Sequence, residues 1–208
     1  MKCRAVLLAG AGVVWAAAIV FGARTLLTYE NTPGAPGDPP QQWPAASRVA
    51  RPNGRFTLVM LSHPDCPCTR ASLAGLEALI ARTQGRLAVF ILFGKPAAHE
   101  ADIRSSDLWK QASGIPGVTP LYDDDSQEVA RFRGHVSGQT MLYDPTGRLV
   151  FSGGLTSARG HQGPNAGADA VLRLVNESTR VPYTTPVFGC ALHDPGTRPI
   201  REDPAWKQ

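Results

Sequence analysis

The chain has 208 residues and a formal net charge of +4, and 43% of its residues are hydrophobic. Glycine and proline together supply about 19% of the residues, below the roughly 25–30% typical of disordered or low-complexity chains. This composition excludes an intrinsically disordered protein, and four cysteines in a chain of this length exclude a small disulfide scaffold. The positive charge forms no basic stripe, so nucleic acid is not an expected partner.

An uncharged apolar segment lies near the N-terminus. Residues Ala5–Ala23 form a run of 19 uncharged residues, preceded by Lys2 and Arg4. One membrane-crossing helix needs about 17–25 such residues, whereas the apolar part of a cleaved signal peptide has about 7–15. The sequence therefore favours an uncleaved anchor over residues 1–28, with a cleaved signal peptide as the alternative. The basic residues before the run predict a cytoplasmic N-terminus, with the remaining chain in the periplasm or another extracytoplasmic space.

The exported part of the chain divides by composition. Residues 29–52 are rich in proline and show no hydrophobic periodicity, which predicts a semi-extended linker that holds a domain away from the membrane. The residues that follow suffice for one compact domain, which we expect at residues 53–180. Residues 181–208 then form a C-terminal extension, whose apolar part is expected to pack on that domain.

Hydrophobic periodicity predicts alternating strands and helices in the domain. The predicted elements are, in order, strand Phe56–Ser62, helix Cys68–Arg82, strand Arg86–Gly94, helix Ile103–Ala112, strand Thr119–Tyr122, helix Gln127–Phe132, hairpin Gln139–Gly154 and helix Ala168–Glu177. The hairpin is the clearest unit, because an Asp-Pro-Thr-Gly turn joins its two strands. This order predicts an α/β fold with a mostly parallel central sheet and an antiparallel edge.

The sequence HPDCPCTR, His63–Arg70, lies where the first strand leads into the first helix. A helix N-terminus leaves backbone N–H groups unpaired and carries about half a positive charge, so a thiolate there is stabilised and reactive. Pro67 suits the first helical position, which makes Cys66 the N-cap residue. Cys66 is therefore predicted to attack as a thiolate and Cys68 to resolve, while the neighbouring Asp65 opposes ionisation of the thiol.

With its paired cysteines at the strand-to-helix turn, the chain resembles the thioredoxin-like superfamily over most of residues 54–177. The YDPTGRLVFSGG hairpin is similar to that of membrane-tethered extracytoplasmic thioredoxins and peroxiredoxin relatives. The combination of HPDCPCTRASL, SGQTMLYDPTGRLVFSGGLTSARGHQG and PVFGCAL resembles a smaller bacterial group labelled RedB-like. The resemblance implies a central mixed sheet with flanking helices and thiol–disulfide chemistry at the cysteine turn.

Two positions depart from the family pattern. The family motif is Cys-x-x-Cys, and aligning the Pro-Cys pair puts Cys68 on its second cysteine and Asp65 on its first. The family also has a cis-proline before the hairpin, and the corresponding position here is Gly138. A Cys66–Cys68 disulfide would close a very small ring, so the pair is expected to be oxidising.

Three cysteines are exported, an odd number that leaves the role of Cys190 open. It is expected to be a buried thiol, a resolving partner for the cysteine turn, or a metal ligand. Soft thiolates bind Cu(I) or Zn, and His63, Cys66 and Cys68 lie within six residues. A site of that kind would be completed by Cys190, or by one of two further histidines, His135 and His193.

The sequence leads to three functional hypotheses. The first is a thiol–disulfide oxidoreductase that needs no cofactor and acts on protein thiols or disulfides, or with a membrane electron donor. The second is a module that binds or delivers Cu(I) or Zn, and the third is a tethered scaffold without catalysis. The glycine-rich segment 152–167 is expected to be a surface loop, with Arg159 and His161 bordering the cysteine turn as the alternative.

Overall fold

The computed structural model describes residues 2–94, 102–124, 126–177 and 181–192. The chain divides into two compact units, Met1–Thr32 and Pro33–Gln208. The first unit is helix α1, Lys2–Asn31, whose large apolar side chains are exposed. Within the described part of the chain it is the one helix that is long and apolar enough to cross a membrane.

The second unit is built around one mixed sheet of six strands. The strands are β1 Phe56–Ser62, β2 Leu87–Gly94, β3 Val118–Asp123, β4 Thr140–Tyr143, β5 Leu149–Gly153 and β6 Tyr183–Thr184. They lie in the order β3-β2-β1-β4-β5-β6. Strands β1, β2 and β3 are parallel, and β4 pairs antiparallel with both β1 and β5. The predicted parallel centre and antiparallel edge are confirmed, whereas β6, which pairs parallel with β5, was not predicted.

Four helices accompany this sheet in the described residues. They are α2 Pro67–Ala81, α3 Asp107–Gly114, α4 Gln127–Arg131 and α5 Ala166–Glu177, with a 3₁₀ turn at Ile103–Ser105 before α3. The predicted helix at Ile103–Ala112 is thus two pieces, because two side chains cap separate starts. Asp102 accepts a hydrogen bond from the Arg104 N–H, and Ser106 accepts one from the Trp109 N–H.

Alternate residues of β1 divide the core into two layers, because successive side chains of a strand point to opposite faces. Leu58 and Met60 pack in the larger layer with the buried sides of α2, α3 and α5. Val59 and Leu61 pack in the smaller layer with Val129 of α4. A mixed sheet covered on both faces, with β1–α2–β2 at its centre and the β4–β5 hairpin beside β1, is the thioredoxin-like fold. The predicted fold class is confirmed.

The proline-rich segment lies against the smaller layer, although its sequence predicts a linker that stands away from the domain. The Trp43 ring lies 5.2 Å from the Phe132 ring and 5.1 Å from the Tyr143 ring, in edge-on contacts. The Tyr143 hydroxyl donates to the Pro40 carbonyl at 3.1 Å, and Val49 is 4% exposed. Proline restricts the backbone, but it does not prevent the apolar side chains between the prolines from packing. The compact unit accordingly begins at Pro33.

A buried carboxylate holds the same segment to α4. Glu128, 5% exposed, accepts hydrogen bonds from the Ser47 hydroxyl at 2.6 Å and the Arg48 N–H at 3.0 Å. Arg131 forms an ion pair with it from the next turn of the helix. Burial by itself raises the pKa of Glu128, but these bonds outweigh it and hold the pKa below the ordinary glutamate value.

The chain after α5 returns along the sheet edge toward the cysteine turn. We call Thr185–Leu192 the tail segment. The Gly154 N–H donates to the Pro186 carbonyl at 3.1 Å, and Val187 is fully buried. Farther along, Ala191 forms a β-bridge with Val136. Residues 193–208, which include the candidate ligand His193, lie outside the described residues.

Candidate thiol site

Two of the three cysteines of the second unit lie at the N-terminus of α2. Cys66 is the N-cap residue, with extended backbone angles of φ −81° and ψ 113°, and Pro67 occupies the first turn of the helix. The predicted capping arrangement is confirmed. The turn is closed by backbone hydrogen bonds from Cys66 N–H to the His63 carbonyl at 3.2 Å and from Thr69 N–H to the Cys66 carbonyl at 3.0 Å. Cys66 and Cys68 are both buried, with exposed fractions of 1% and 4%.

The tail segment brings the third cysteine to the same place. The Sγ atoms of Cys66 and Cys190 lie 3.4 Å apart, and all three cysteines are free thiols. The Ser137 N–H donates to the Cys190 carbonyl at 2.8 Å. The Arg159 guanidinium donates to the Gly189 carbonyl at 2.6 Å. Hydrogen bonds to the Gly189 and Cys190 carbonyls therefore hold the Cys190 thiol against Cys66.

Two glycines allow this close packing. Gly138 has a φ of +88°, a conformation that glycine adopts at little cost, and its N–H donates to the Leu61 carbonyl at 2.7 Å. Gly138 is the residue that the sequence resemblance aligns with a cis-proline, and the described residues contain no cis peptide bond. Gly189 approaches Ser137 so closely that a Cβ atom there would lie 1.8 Å from the Ser137 carbonyl oxygen. A side chain at residue 189 would displace the tail segment from the site.

A buried serine hydroxyl links the turn to the sulfur of Cys66. Ser137 Oγ accepts the His63 N–H at 2.9 Å and lies 2.8 Å from the Thr69 hydroxyl. A serine hydroxyl has two acceptor positions and one proton. If His63 and Thr69 fill the acceptor positions, the proton is directed to Cys66, with which the Ser137 side chain also forms a hydrogen bond.

The three thiols differ in acidity. Burial raises the pKa of Cys66, but hydrogen bonds from the Cys190 and Thr69 N–H groups and from the Cys190 and Ser137 side chains outweigh it, so the pKa is lowered. Burial also raises the pKa of Cys68, and the negative charge of Cys66 raises it further. Burial, the hydrogen bond to Cys66 and that residue's charge raise the pKa of Cys190 to about 12. Cys66 is thus the thiol that ionises first.

The remaining sequence candidates form the rim of the turn. The exposed Asp65 donates its N–H to Nδ1 of the half-buried His63 at 3.1 Å, and Pro67 is exposed. Hydrogen bonds from the Cys190 and Thr69 N–H groups and from the Cys190 and Ser137 side chains outweigh burial, so the pKa of Cys66 is lowered although a carboxylate precedes it in the sequence.

The metal hypothesis requires several ligand side chains close together at the cysteine turn. Among the described residues, no group of three or more His, Cys, Asp and Glu side chains is placed to hold a metal ion. His63 Nδ1 already accepts the hydrogen bond from the Asp65 N–H, which occupies one of its two possible ligand atoms. The described side chains therefore offer no group of three or more metal ligands, and no step below involves a metal.

Two residues of the site, Ser137 and Gly160, were not among the sequence candidates. Ser137 precedes Gly138, and its place next to the expected cis-proline position was the signal that could have found it. Arg159 and Gly160 belong to the glycine-rich segment that was expected to be a surface loop. Instead, Gly160 provides a backbone hydrogen bond to Cys68, and the charge of Arg159 acts on both Cys68 and Cys190. The alternative, a loop that borders the cysteine turn, describes the structure.

Several solved structures are similar to this chain at low sequence identity. An uncharacterized conserved protein from Geobacillus kaustophilus is 17% identical, with 81% of this chain and 95% of that chain covered and a TM-score of 0.59. A hypothetical protein from Sinorhizobium meliloti 1021 is 18% identical, with 76% and 97% covered and a TM-score of 0.61. A secreted disulfide oxidoreductase from Mycobacterium tuberculosis is 15% identical, with 60% and 83% covered and a TM-score of 0.40.

No protein-family model matches the chain, and no curated protein matches it significantly. The structural likenesses show the fold alone, because one fold hosts many unrelated activities. What the site can do must follow from its own groups. It contains one thiol prepared to ionise and a second, protonated thiol in contact with it. That combination suits transfer of a disulfide bond between sulfur atoms.

Proposed function

We propose that the protein is a membrane-anchored, extracytoplasmic thiol–disulfide oxidoreductase in which Cys66 of the Cys-Pro-Cys turn is the attacking thiolate. The observation that carries the proposal is the position of Cys66. It caps α2, its pKa is lowered by hydrogen bonds, and a second thiol lies 3.4 Å from its sulfur. A thiolate is the reactive form of cysteine, and a nearby thiol is needed to release a bound substrate.

The first step is attack by the Cys66 thiolate on one sulfur of a substrate disulfide. A new bond forms between Cys66 Sγ and that sulfur, the substrate S–S bond breaks, and the second substrate sulfur leaves as a thiolate that takes up a proton. Since Cys66 is 1% exposed, a substrate reaches its sulfur only after neighbouring groups move. The tail segment contacts that sulfur directly, so it is the element we expect to move.

Helix α1 supports a membrane setting for this activity. We propose that α1 anchors the chain in a bacterial inner membrane and that the thiol domain works in the periplasm or an equivalent extracytoplasmic space. Its partners are then protein thiols or disulfides, or a membrane electron donor, and no cofactor is required. The motifs around the cysteine turn, the hairpin and Cys190 support membership of the RedB-like group as part of the same proposal.

The test is the redox behaviour of the full chain in detergent. The reduced protein should be oxidised by glutathione disulfide at an equilibrium set by its reduction potential, and Cys66→Ser should abolish the couple. Cys3→Ser is the matched control, because Cys3 is exposed on α1 and should leave the potential unchanged. A wild-type protein with no measurable redox couple contradicts the proposal. Stoichiometric Cu(I) or Zn that is lost in Cys66→Ser would support the metal hypothesis instead.

A further inference from the structure

The structure assigns to Cys190 the role of resolving cysteine for Cys66, in place of Cys68, which the sequence alone favours. This inference rests on the proposed function, because it concerns the second step of the same reaction. It identifies a redox pair made of the α2 N-terminus and the tail segment. The two residues are 124 positions apart in the chain, whereas Cys66 and Cys68 are separated by a single proline.

The first argument is distance. A disulfide bond is about 2.05 Å long, so the two sulfurs must approach by roughly 1.4 Å from their present 3.4 Å separation. The Cys190 N–H also forms a hydrogen bond to Cys66, so the backbone of the tail segment, and not only a rotating side chain, is aligned with the thiolate. A Cys66–Cys68 bond would instead close a small ring across Pro67, whose own backbone is restricted.

The second argument is that the tail segment is held in place by bonds of its own. Ser137 N–H donates to the Cys190 carbonyl at 2.8 Å, and Leu192 N–H donates to the His135 carbonyl at 2.9 Å. Arg159 donates to the Gly189 carbonyl, and Gly189 has no space for a side chain beside Ser137. These contacts lower the entropy that is lost when Cys190 meets Cys66, which raises its effective concentration.

The order in which Cys66 and Cys190 ionise fits attack by Cys66 on the substrate, followed by attack of Cys190 on Cys66. Burial raises the pKa of Cys190, and the hydrogen bond to Cys66 and the Cys66 charge raise it further. When Cys66 forms a mixed disulfide, its negative charge disappears, and both contributions from Cys66 disappear with it. Cys190 therefore becomes easier to ionise at the stage at which it must attack.

The second step balances as follows. The Cys190 thiol loses its proton, and its sulfur attacks Cys66 Sγ in the mixed disulfide. The bond between Cys66 and the substrate sulfur breaks as the Cys66–Cys190 bond forms. The substrate sulfur leaves as a thiolate and takes up the proton, so two protein thiols are oxidised and one substrate disulfide is reduced to two thiols.

The pairing is decided by mapping disulfides in the full chain. The reduced protein in detergent is exposed to glutathione disulfide, its free thiols are alkylated, and it is digested with trypsin without reduction. Trypsin cleaves after Lys and Arg, so Cys66 and Cys68 stay together on peptide Phe56–Arg70, and Cys190 is on a peptide that begins at Val181. The expected product links the two peptides and leaves Cys68 alkylated. A disulfide within Phe56–Arg70, with Cys190 alkylated, overturns the inference.

Kinetics of the variants give an independent test. In Cys190→Ser, the mixed disulfide of Cys66 with glutathione should last about 100-fold longer than in the wild type, because the internal nucleophile is gone. Cys68→Ser should form the Cys66–Cys190 bond at the wild-type rate. Equal lifetimes in Cys190→Ser and the wild type overturn the inference and leave the proposed function intact. Absence of glutathione on Cys66 in every variant overturns both.

A glycine variant tests the tail segment while keeping all three thiols. Gly189→Ala should slow formation of the Cys66–Cys190 bond about tenfold or more, since the added Cβ displaces the segment. Gly114→Ala, at the end of α3, is the matched control, because a Cβ there meets nothing within 4 Å. An unchanged rate in Gly189→Ala contradicts the assigned role of the tail segment.

Discussion

Ser137→Ala tests how the protein prepares Cys66 for attack. The substitution removes the hydroxyl that forms a hydrogen bond to the Cys66 sulfur and that accepts the His63 N–H at 2.9 Å. It keeps the backbone N–H that binds the Cys190 carbonyl. The expected result is a Cys66 thiol that ionises at higher pH, because one of the bonds that offset its burial is lost.

The magnitude follows from the kind of bond that is removed. A hydrogen bond to a charged group contributes about 1.5–3 kcal/mol, and about 1.4 kcal/mol corresponds to a factor of ten. The thiolate fraction of Cys66 below its pKa should therefore fall by roughly 10-fold to 100-fold in Ser137→Ala. The variant should also lose about 1–3 kcal/mol of folding stability, because the buried His63 N–H and Thr69 hydroxyl lose their partner.

The assay is the rate of alkylation by iodoacetamide as a function of pH. Peptide sequencing by mass spectrometry assigns each label to Cys66, Cys68 or Cys190. In the wild type, Cys66 should react at pH values below the ordinary cysteine range, while the raised pKa values keep the other two thiols protonated. The side chains of Arg159, and of His63 and Asp65 in the turn, are the same in both proteins.

Ser72→Ala is the matched control. Ser72 is also a buried serine of this region, but its hydroxyl donates to the Cys68 carbonyl at 3.3 Å. It makes none of the hydrogen bonds that lower the pKa of Cys66. The pH profile of Cys66 should therefore match the wild type in Ser72→Ala. If Ser137→Ala also retains the wild-type profile, the argument for its hydroxyl is refuted.

Three further predictions concern the parts that hold the site together. Because its pKa is lowered, Glu128 stabilises the fold fully above its unfolded pKa and loses this effect as the pH falls through its folded value. Glu128→Gln should thus be less stable than the wild type at neutral pH, and the two free energies of unfolding should converge in acid. A difference in the free energy of unfolding that does not change with pH would contradict the argument. Trp43→Ala should lower the free energy of unfolding by about 2–3 kcal/mol, since the ring packs on Phe132 and Tyr143. Val181→Ala, at a residue that is 69% exposed, should change this free energy little. Denaturant titration measures both variants. Arg159→Ala should slow formation of the Cys66–Cys190 disulfide about tenfold, because the hydrogen bond to the Gly189 carbonyl is lost. The same peptide mapping measures this rate. An unchanged rate would mean that the hydrogen bond does not hold the tail segment.

The parts predicted well are those in which neighbouring residues supply the signal. The continuous apolar runs of β1 and β2 and the Asp-Pro-Thr-Gly turn of the hairpin were located almost to the residue. The Cys66 cap was also predicted, because Pro67 marks the first helical turn. The break before α3 was missed, since two competing caps four residues apart are hard to distinguish from one continuous helix.

Composition was a poorer guide where long-range packing decides the structure. The proline-rich segment has the local character of a linker, yet the burial of Trp43 and Val49 holds it on the domain. The glycine-rich segment likewise has the character of a surface loop, yet Arg159 and Gly160 reach the thiols. In both cases the residues that form the stabilising contacts lie about 80 or more residues away in the chain, or on another element. A pattern among neighbouring residues therefore cannot predict these contacts.

The sequence by itself determined the α/β order, the apolar N-terminal helix and a dithiol at a helix N-terminus, because each depends on residues that are close in the chain. Only the tertiary structure decided what surrounds Cys66. The bond from Ser137 depends on the pairing of β4 with β1, and the contact with Cys190 depends on the return of the tail segment beside β5. Backbone pairing and the space left by Gly189 set that path, and neither is visible in the order of residues alone.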